Sequence, residues 1–451
     1  MSQSNRQTWL IFGILVVGLL LRFGALSLHS LWLDEAYSVA QARLPEAEIW
    51  RRVSELHPPL YYVLLHHWLG VAGAGETAVR LPSALISAVN LLLTFFLARR
   101  LVGREAALVA VTLLALAPLD VWYAREARMG VFIAFFGLLA ALGLAWESGW
   151  GMLPSAAALT AGLYLDYPLL PLWVGITAVW LVFWWVRGRR PALLLAWLLP
   201  TALAWLLFQP WAFHLYSLLE RLNDVFVFAQ LLAQLGLPAL TARQYLLALL
   251  LIGGGLAAAA AAAYRLLQAA RLRRPLVWLL LLGFGLAVLL MPVPRVYSIK
   301  RLLVTGWPFV TVLVGWAVCQ SGARWRQVWA GLLGVSLLAS LAVLATPKDD
   351  WRAAAGYVAA RAQPGDGVWV DPEWNHFPFS YYLPERPPLR PVRGQQPAAD
   401  VPAWFVAERP PGQQPPTSPT EAWFDAHMVL VETAAFYRLE VRYYRPGGDG
   451  G

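Results

Sequence analysis

The chain is built from long apolar segments that recur from its N-terminus to residue 345. A helix needs about 20 mostly apolar residues to cross the hydrocarbon core of a bilayer, so segments of this length predict membrane spans. Hydrophobic residues make up 59% of the 451 positions and charged residues 14%, whereas a soluble domain carries about 25% charged residues. We therefore expect a polytopic α-helical membrane protein.

About eleven spans are expected on this criterion, and the fifth is the shortest. They are Thr8–Leu28, Leu81–Leu101, Ala106–Val121, Met129–Trp146, Met152–Leu165, Leu169–Val186, Ala192–Trp211, Tyr245–Leu266, Leu276–Met291, Leu303–Gln320 and Val328–Ala345. The first segment is expected to remain as an uncleaved signal anchor, because no small-residue cleavage site precedes Asp34.

Basic residues indicate how the chain crosses the membrane. If the N-terminus is cytoplasmic, clustered arginines occupy the inside loops at 99–104, 187–190, 265–274 and 324–327. This agrees with the positive-inside rule, and an odd number of spans then leaves the C-terminal part outside. The formal charge of +9 is dispersed among these short clusters, so no nucleic-acid partner is expected. The predicted location is the inner (plasma) membrane.

The first outside loop, residues 29–80, is too long for a simple connection. A short helix is expected over Glu46–Leu56, and His57-Pro58-Pro59 should end it. Leu60–Val71 should then form an interfacial or re-entrant helix. A later outside segment, His214–Thr241, has apolar residues at helical spacing and is expected to lie along the membrane surface.

Two domains are expected: a transmembrane domain over residues 1–346 and a small extracytoplasmic α/β domain over 347–451. In the second, Asp350 should cap a helix, and Gly367–Val370 and Ala403–Val406 resemble short buried strands. Leu439–Tyr443 alternates as an edge strand does. The glycine-rich end, Gly447–Gly451, is expected to be disordered.

Two adjacent carboxylates, Asp34 and Glu35, follow the first span and lie in the first outside loop. Ionisable groups at a membrane edge indicate a functional site, because burying them there is expensive. The alternative is that they cap a helix, since acidic residues are favoured at helix starts.

Several outside loops carry arginine, against the positive-inside trend, so something must compensate that charge. Carboxylates would do so, and so would an anionic ligand such as a lipid phosphate, which matches the forked guanidinium. The basic residues concerned include Arg80, Arg125, Arg128, Lys300 and Arg301, and the acidic residue Glu126 lies among them. Each group also has an explanation without a ligand. Residues 125–128 would form an interfacial salt-bridge cluster, and Lys300 and Arg301 would extend their side chains from the start of a span to the membrane surface. For Asp166, in another outside loop, the alternative to a functional role is a role in a tight turn.

The sequence offers little support for a metal or a cofactor. No histidine pair has metal-ligand spacing, and neither a glycine-rich phosphate loop nor a dinucleotide fingerprint occurs. A divalent metal could bind through carboxylates, but no residue pattern indicates one. The single cysteine, Cys319, excludes a disulfide framework within the chain.

Four motifs that occur in order carry a family resemblance: Leu31-Trp32-Leu33-Asp34-Glu35-Ala36-Tyr37-Ser38, His57-Pro58-Pro59-Leu60-Tyr61-Tyr62, Arg80-Leu81-Pro82-Ser83-Ala84-Leu85 and Tyr123-Ala124-Arg125-Glu126-Ala127-Arg128-Met129. Together with Lys300-Arg301-Leu302-Leu303 and Pro347-Lys348-Asp349-Asp350-Trp351-Arg352, they resemble the bacterial protein O-mannosyltransferases and aminoarabinose transferases, which are membrane glycosyltransferases of the GT-C fold. The resemblance covers residues 8 to about 360. Two features depart from it: Gly130 stands where tyrosine is usual, and Tyr164-Leu165-Asp166-Tyr167 replaces a Thr-His-Tyr type of sequence.

The resemblance implies transfer of a sugar from a polyprenyl-phosphate donor to a hydroxyl or phosphate of a lipid, protein or polysaccharide acceptor outside the cytoplasm. By the same resemblance, Asp34 is the general base, and Glu35 orients it or holds the acceptor. Cations would stabilise the lipid-phosphate leaving group, and direct displacement would invert the anomeric carbon. The candidate substrate-binding residues are His57, Tyr61, Arg80, Tyr123, Arg125, Glu126, Arg128, Asp166, Lys300 and Arg301.

Two other classes of function remain open from the sequence. A polyprenyl-phosphate or lipid transporter would be expected to show charged residues in mid-span and broken helices repeated in two halves, and few such charges and no repeat occur. A non-catalytic membrane scaffold would use the C-terminal domain to bind a partner.

Overall fold

The protein is described by a computed structural model over residues 3–52, 57–145, 152–167, 169, 173, 181, 191–221, 299–320, 323–383, 397, 399–409 and 418–447. The predicted spans Tyr245–Leu266 and Leu276–Met291 lie outside the described residues, as does most of Leu169–Val186 and of the outside segment His214–Thr241. The glycine-rich end after Gly447 also lies outside them.

Contacts group the chain into two units. The first comprises Met1–Gly24, Ala47–Leu64 and Leu81–Leu344, and the second comprises Ala25–Glu46, Leu65–Arg80 and Ala345–Gly451. The second unit therefore includes two stretches of the loop at 29–80, which the sequence predicts to be outside, as well as the C-terminal segment. The domain boundary expected after residue 346 stays a prediction.

The described helices are α1 (Gln3–Phe23), α2 (Leu33–Ala42), α3 (Glu46–Arg52), α4 (Leu60–Ala72), α5 (Glu76–Val102), α6 (Arg104–Ala115), α7 (Pro118–Ala124), α8 (Gly130–Ala145), α9 (Met152–Leu165), α10 (Pro191–Arg221), α11 (Ile299–Gln320), α12 (Ala323–Ala345), α13 (Trp351–Arg361), α14 (His376–Tyr382) and α15 (Pro419–His427). The strands are β1 (Gly367–Asp371), β2 (Ala403–Glu408), β3 (Met428–Phe436) and β4 (Leu439–Pro446). A short 3₁₀ helix, Glu373–Asn375, precedes α14.

Apolar helices dominate the first unit. Among the described residues, α5 is long and apolar enough to cross a membrane, and the bent pair α6 and α7 together would form a second span. Six shorter apolar helical stretches lie in the same part of the chain. The expected total of eleven spans stays a prediction.

The segment predicted as the span Ala106–Val121 is divided between two helices, and its crossing of the membrane stays a prediction. Helix α6 ends at Ala115, α7 begins at Pro118, and the two helices are bent by 60°. Pro118 stands at the first position of α7, where its missing N–H is tolerated. The carbonyl of Leu116 at the break accepts hydrogen bonds from the Ser336 and Ser340 hydroxyls, at 2.6 Å and 2.9 Å.

Helices α5, α6 and α11 share a core of small and branched side chains, including Ala98, Ala107, Ala110 and Val312. The helices approach closely at Gly315, where a Cβ atom would lie 2.4 Å from the carbonyl oxygen of Ala106. This glycine therefore lets the backbones of α6 and α11 come into contact.

The second unit contains a four-stranded sheet in the order β1-β2-β4-β3, with β1 and β2 parallel and the other pairs antiparallel. One face packs against α13 and α14 through Trp351, Val358 and Phe379. The other face packs against α15 through Phe424. Both cores arise because alternate residues of each strand point to opposite faces.

Most local predictions for this segment are confirmed. The Asp350 side chain accepts a hydrogen bond from the Ala353 N–H at 3.1 Å and caps α13. The two predicted buried strands correspond to β1 and β2. The prediction of an edge strand at Leu439–Tyr443 is wrong, because β4 lies between β2 and β3, and β3 was not predicted.

Candidate active site

Glu35 of the acidic pair is fully buried and held by two cations within the second unit. Its carboxylate accepts two hydrogen bonds from Arg80, from Nε and Nη2, each at 2.7 Å. Lys348 Nζ lies 3.1 Å from Oε2 of the same carboxylate. A buried carboxylate is stable as an anion only when it is paired in this way. Glu35 is therefore fixed in position.

Asp34 precedes Glu35 in the first turn of α2 and is half-buried. Its backbone carbonyl accepts a hydrogen bond from the Ser38 hydroxyl at 2.8 Å, one turn further along the helix. The helix-cap interpretation applies to Glu35, which accepts from the Trp32 N–H at 3.4 Å. The two carboxylates thus differ in environment, since one is enclosed by cations and the other is partly open to solvent.

Arg80 uses all five of its N–H groups inside the protein. Besides the two bonds to Glu35, it donates to the backbone carbonyls of Leu26, His29 and Ser30 at 2.6–3.0 Å. A ligand would have to displace one of these bonds, so the geometry favours a role in orienting Glu35. Its expected contact with substrate stays a prediction.

Lys348 belongs to the group of charged residues around Glu35, although the sequence did not identify it as a candidate site residue. Its ammonium lies 5.7 Å from the centroid of the Trp32 ring and against Glu35. It is 313 positions from Glu35 in the chain. The one signal available was the Pro347-Lys348-Asp349-Asp350-Trp351-Arg352 motif, which carried the resemblance but indicated no role.

A second polar network in the same unit surrounds Glu76. Glu76 binds the Arg352 guanidinium and accepts a hydrogen bond from the Tyr382 hydroxyl. That hydroxyl in turn accepts from the Leu31 N–H at 2.6 Å. Burial and the bond to Glu76 raise the pKa of Tyr382. The phenol therefore stays neutral and secures the chain just before α2.

The segment 123–128 belongs to the first unit. Arg125 donates to the carbonyls of Leu21 and Gly24, at the C-terminal end of α1. Glu126 and Arg128 are buried, and the Arg128 carbonyl accepts from the Ser83 hydroxyl at 3.3 Å. A substrate role for Arg128 and Glu126 stays a prediction. Arg125 caps the C-terminal end of α1 through its bonds to the carbonyls there.

Tyr123 is buried against Gly130, the residue that departs from the family pattern. A Cβ atom at position 130 would lie 2.6 Å from Tyr123 Cδ1 and 3.3 Å from a methyl of Val304. The glycine is therefore required by the tyrosine ring that packs on it.

His57, Tyr61 and Asp166 are also buried in the first unit. His57 Nδ1 lies 3.4 Å from Asp166 Oδ1, and that oxygen accepts from the Tyr167 N–H at 2.9 Å. Asp166 therefore binds the backbone N–H of the next residue, as the turn interpretation expects, and it also contacts a histidine. Tyr61 packs edge-on against Phe132 at 5.5 Å between ring centroids.

Lys300 and Arg301 lie in the first turn of α11, but their side chains are outside the described part of the structure. Their roles stay predictions. Across the described residues, no group of three or more His, Cys, Asp or Glu side chains is placed to hold a metal ion.

Comparison with known proteins gives one family match and several similar structures. A family model described as dolichyl-phosphate-mannose-protein mannosyltransferase matches residues 56–214. The structure is similar to ArnT from Cupriavidus metallidurans bound to undecaprenyl phosphate, with a TM-score of 0.56 and 16% identity over 97% of this chain and 98% of that chain. For apo ArnT the TM-score is 0.58 and the identity 15%, over 98% of each chain.

A more distant similarity is to the oligosaccharyltransferase AglB of Archaeoglobus fulgidus in complex with an inhibitory peptide and a dolichol-phosphate. The TM-score is 0.53 and the identity 12%, over 89% of this chain and 70% of that chain. None of the curated proteins matches the chain.

The chain therefore has the GT-C fold of membrane glycosyltransferases, as predicted. Within that fold it resembles ArnT and the protein mannosyltransferases, which confirms the resemblance carried by its motifs.

Proposed function

We propose that the chain is a glycosyltransferase that moves a sugar from a polyprenyl-phosphate donor to an acceptor on the extracytoplasmic face of the inner membrane. The observation that carries the proposal is the division of the acidic pair, with Glu35 fixed by Arg80 and Lys348 and Asp34 half-buried beside it. The likeness to ArnT bound to undecaprenyl phosphate supports a lipid-linked donor. The predicted topology of eleven spans, with the N-terminus inside and the C-terminal domain outside, belongs to this proposal.

In the proposed reaction Asp34 is the general base. It accepts the proton of the acceptor hydroxyl as that oxygen attacks the anomeric carbon. The bond from this carbon to the donor phosphate oxygen breaks, and the lipid phosphate leaves with the electron pair. Attack opposite the leaving group inverts the configuration at the sugar. Glu35 is unsuited to be the base, because its carboxylate already accepts bonds from two cations.

Negative charge grows on the lipid phosphate as it leaves, and fixed cations lower the barrier by stabilising that charge. Arg128, Lys300 and Arg301 are the proposed phosphate ligands. Arg80 and Arg125 rank behind them, since their guanidinium groups bind backbone carbonyls in the described structure. The buried pair His57 and Asp166 and the residues Tyr61, Tyr123 and Glu126 remain proposed substrate contacts.

The sugar, a hexose or a pentose, and the acceptor are identified together by one experiment. Mass spectrometry compares glycolipids, glycoproteins and polysaccharides from a strain that lacks the chain with those of the complemented strain. The expected result is a glycoform present only in the complemented strain. If every glycoform persists in the strain that lacks the chain, the proposed function is wrong.

The role of Asp34 is tested by complementation with Asp34→Asn. An asparagine cannot accept the proton, so transfer should fall by about 100-fold or more while expression and membrane insertion stay normal. Glu46→Gln is the matched control, because Glu46 is an exposed carboxylate of the same loop that pairs with His67 at 3.4 Å. Transfer at the wild-type rate in the Asp34→Asn strain would exclude Asp34 as the base.

A further inference from the structure

We propose that Lys348 is a positioning residue for the acidic pair, and that the C-terminal sheet of the second unit holds this lysine in place. The catalytic consequence rests on the proposed function, whereas the structural part does not. The proposal assigns to the C-terminal segment a contribution to the site itself, in addition to any role in choosing the acceptor.

The Lys348 ammonium is fixed by two partners. Its Nζ lies 3.1 Å from Glu35 Oε2 and 5.7 Å from the centroid of the Trp32 ring, and its side chain is 14% exposed. An ammonium over an indole face is attracted by the ring, and the attraction strengthens as water is removed. Trp32 directly precedes α2 and Glu35 lies in its first turn, so both partners belong to the start of that helix.

Lys348 adds a constraint that Arg80 alone does not provide. The Arg80 fork approaches both oxygens of Glu35 from Nε and Nη2. Lys348 binds Oε2, the oxygen that also accepts from the Trp32 N–H. Without the lysine, the carboxylate keeps the Arg80 fork but loses the contact that ties it to the segment before α13. The first turn of α2, which carries Asp34, then becomes less fixed.

The backbone next to Lys348 is tied to the turn between β3 and β4. Asp349 forms an ion pair of 2.9 Å with Arg438, and the Asp350 N–H donates to the Tyr437 carbonyl at 3.2 Å. Arg438 has a φ of +60°, a conformation that residues with a side chain rarely adopt. The same guanidinium also binds Glu408 of β2 at 3.2 Å. The hairpin therefore determines where the lysine stands.

The structural part is tested by hydrogen–deuterium exchange of the purified full-length protein without donor or acceptor. Lys348→Met should exchange several-fold faster over residues 33–42, since α2 loses one of its fixed contacts. Arg361→Met is the matched control, because Arg361 is an exposed cation of α13 whose ion pair with Glu432 is 3.8 Å long. Equal exchange of α2 in Lys348→Met and wild type would overturn the proposal.

The catalytic part is tested by chemical rescue in a Cys319→Ser background, which leaves a cysteine introduced at position 348 as the single thiol. Lys348→Cys should slow transfer of the glycoform identified above by about 100-fold, since small displacements of reacting groups have effects of this size. Aminoethylation of that cysteine with 2-bromoethylamine restores an ammonium at nearly the lysine position and should restore most of the rate. Carbamidomethylation, which adds no charge, should not.

The two tests separate the possible failures. Rescue by aminoethylation supports the role of the ammonium, because a misfolded variant would not recover. A Lys348→Cys protein that transfers at the wild-type rate, or one rescued equally by carbamidomethylation, would overturn it. If wild-type protein transfers no sugar, the proposed function fails, and faster α2 exchange in Lys348→Met still supports the positioning of the acidic pair by Lys348.

Discussion

Arg22 and Asp120 form a fully buried ion pair at the break between α6 and α7, and its loss should destabilise the first unit strongly. Arg22 donates all five of its N–H groups: to Asp120 at 2.5 Å, to the Ser87 hydroxyl at 2.8 Å, and to the carbonyls of Gly18, Leu114 and Ala115 at 2.7–3.0 Å. Two of these carbonyls belong to the last turn of α6, whose continuation is interrupted at the break. The guanidinium thus joins α1, α5, α6 and α7.

The expected magnitude follows from what each substitution leaves behind. Asp120→Leu leaves the Arg22 charge buried, and Arg22→Met leaves the Asp120 charge buried, so each should cost about 3–5 kcal/mol. The double variant Arg22→Met/Asp120→Leu removes both charges. It loses the donors to the carbonyls at the end of α6, which should cost about 1–3 kcal/mol. The single substitutions together cost at least about 6 kcal/mol and the double variant at most about 3 kcal/mol, so the two positions are coupled by at least about 3 kcal/mol.

The free energy of unfolding is measured by titration of the purified protein in mixed micelles of dodecyl maltoside and SDS. Arg361→Met serves as the control, because its ion pair with Glu432 is exposed and should contribute about 1 kcal/mol or less. The reasoning is refuted if Arg22→Met is as stable as the control, or if the double variant is no more stable than either single one.

Three further predictions concern packing, capping and pH. Gly315→Ala should destabilise the contact of α6 and α11 by about 1–3 kcal/mol in the same titration, since the new methyl meets the Ala106 carbonyl rather than a movable side chain. Asp350→Ala should lower the free energy of unfolding by about 1 kcal/mol because the α13 cap is lost, and Asp350→Asn should keep most of that stability. Burial, with a smaller effect of Glu76, raises the pKa of Tyr381 to about 12. The folded protein then keeps this proton while the unfolded chain loses it above about pH 10, so stability falls as pH rises from about 10 to 12, and Tyr381→Phe should remove part of that fall. Absorbance at 295 nm follows the titration, and ionisation of Tyr381 near pH 10 would contradict the expectation.

Local features of the fold were predictable because they depend on neighbouring residues. The helix expected over Leu60–Val71 is observed at Leu60–Ala72, and the expected cap at Asp350 is formed. The position of β4 inside the sheet depends on pairing with distant strands, which no local alternation reveals. The strand β3 contains Glu432, Thr433, Ala434 and Ala435 in succession, so no period of two signals it.

The need for charge compensation in the candidate site was predictable from the sequence, whereas the contacts between residues far apart in the chain were not. An arginine outside the cytoplasm was expected to need a compensating carboxylate or anionic ligand, and Arg80 has the carboxylate, Glu35. Lys348 was missed because its partner is more than 300 positions away, and residue type and spacing do not specify so distant a contact. The break after Ala115 was missed because the hydrophobic pattern continues across it, whereas the carbonyls that it frees are bound by Arg22, far away in the chain.

The contact between Tyr123 and Gly130 has a consequence for which substitutions these two positions accept. A side chain at position 130 and an aromatic ring at position 123 compete for one volume, since a Cβ atom at 130 would overlap the ring. In this chain the exchange Tyr123→Ala/Gly130→Tyr should be tolerated better than Gly130→Tyr alone, so the two positions behave as one unit of substitution.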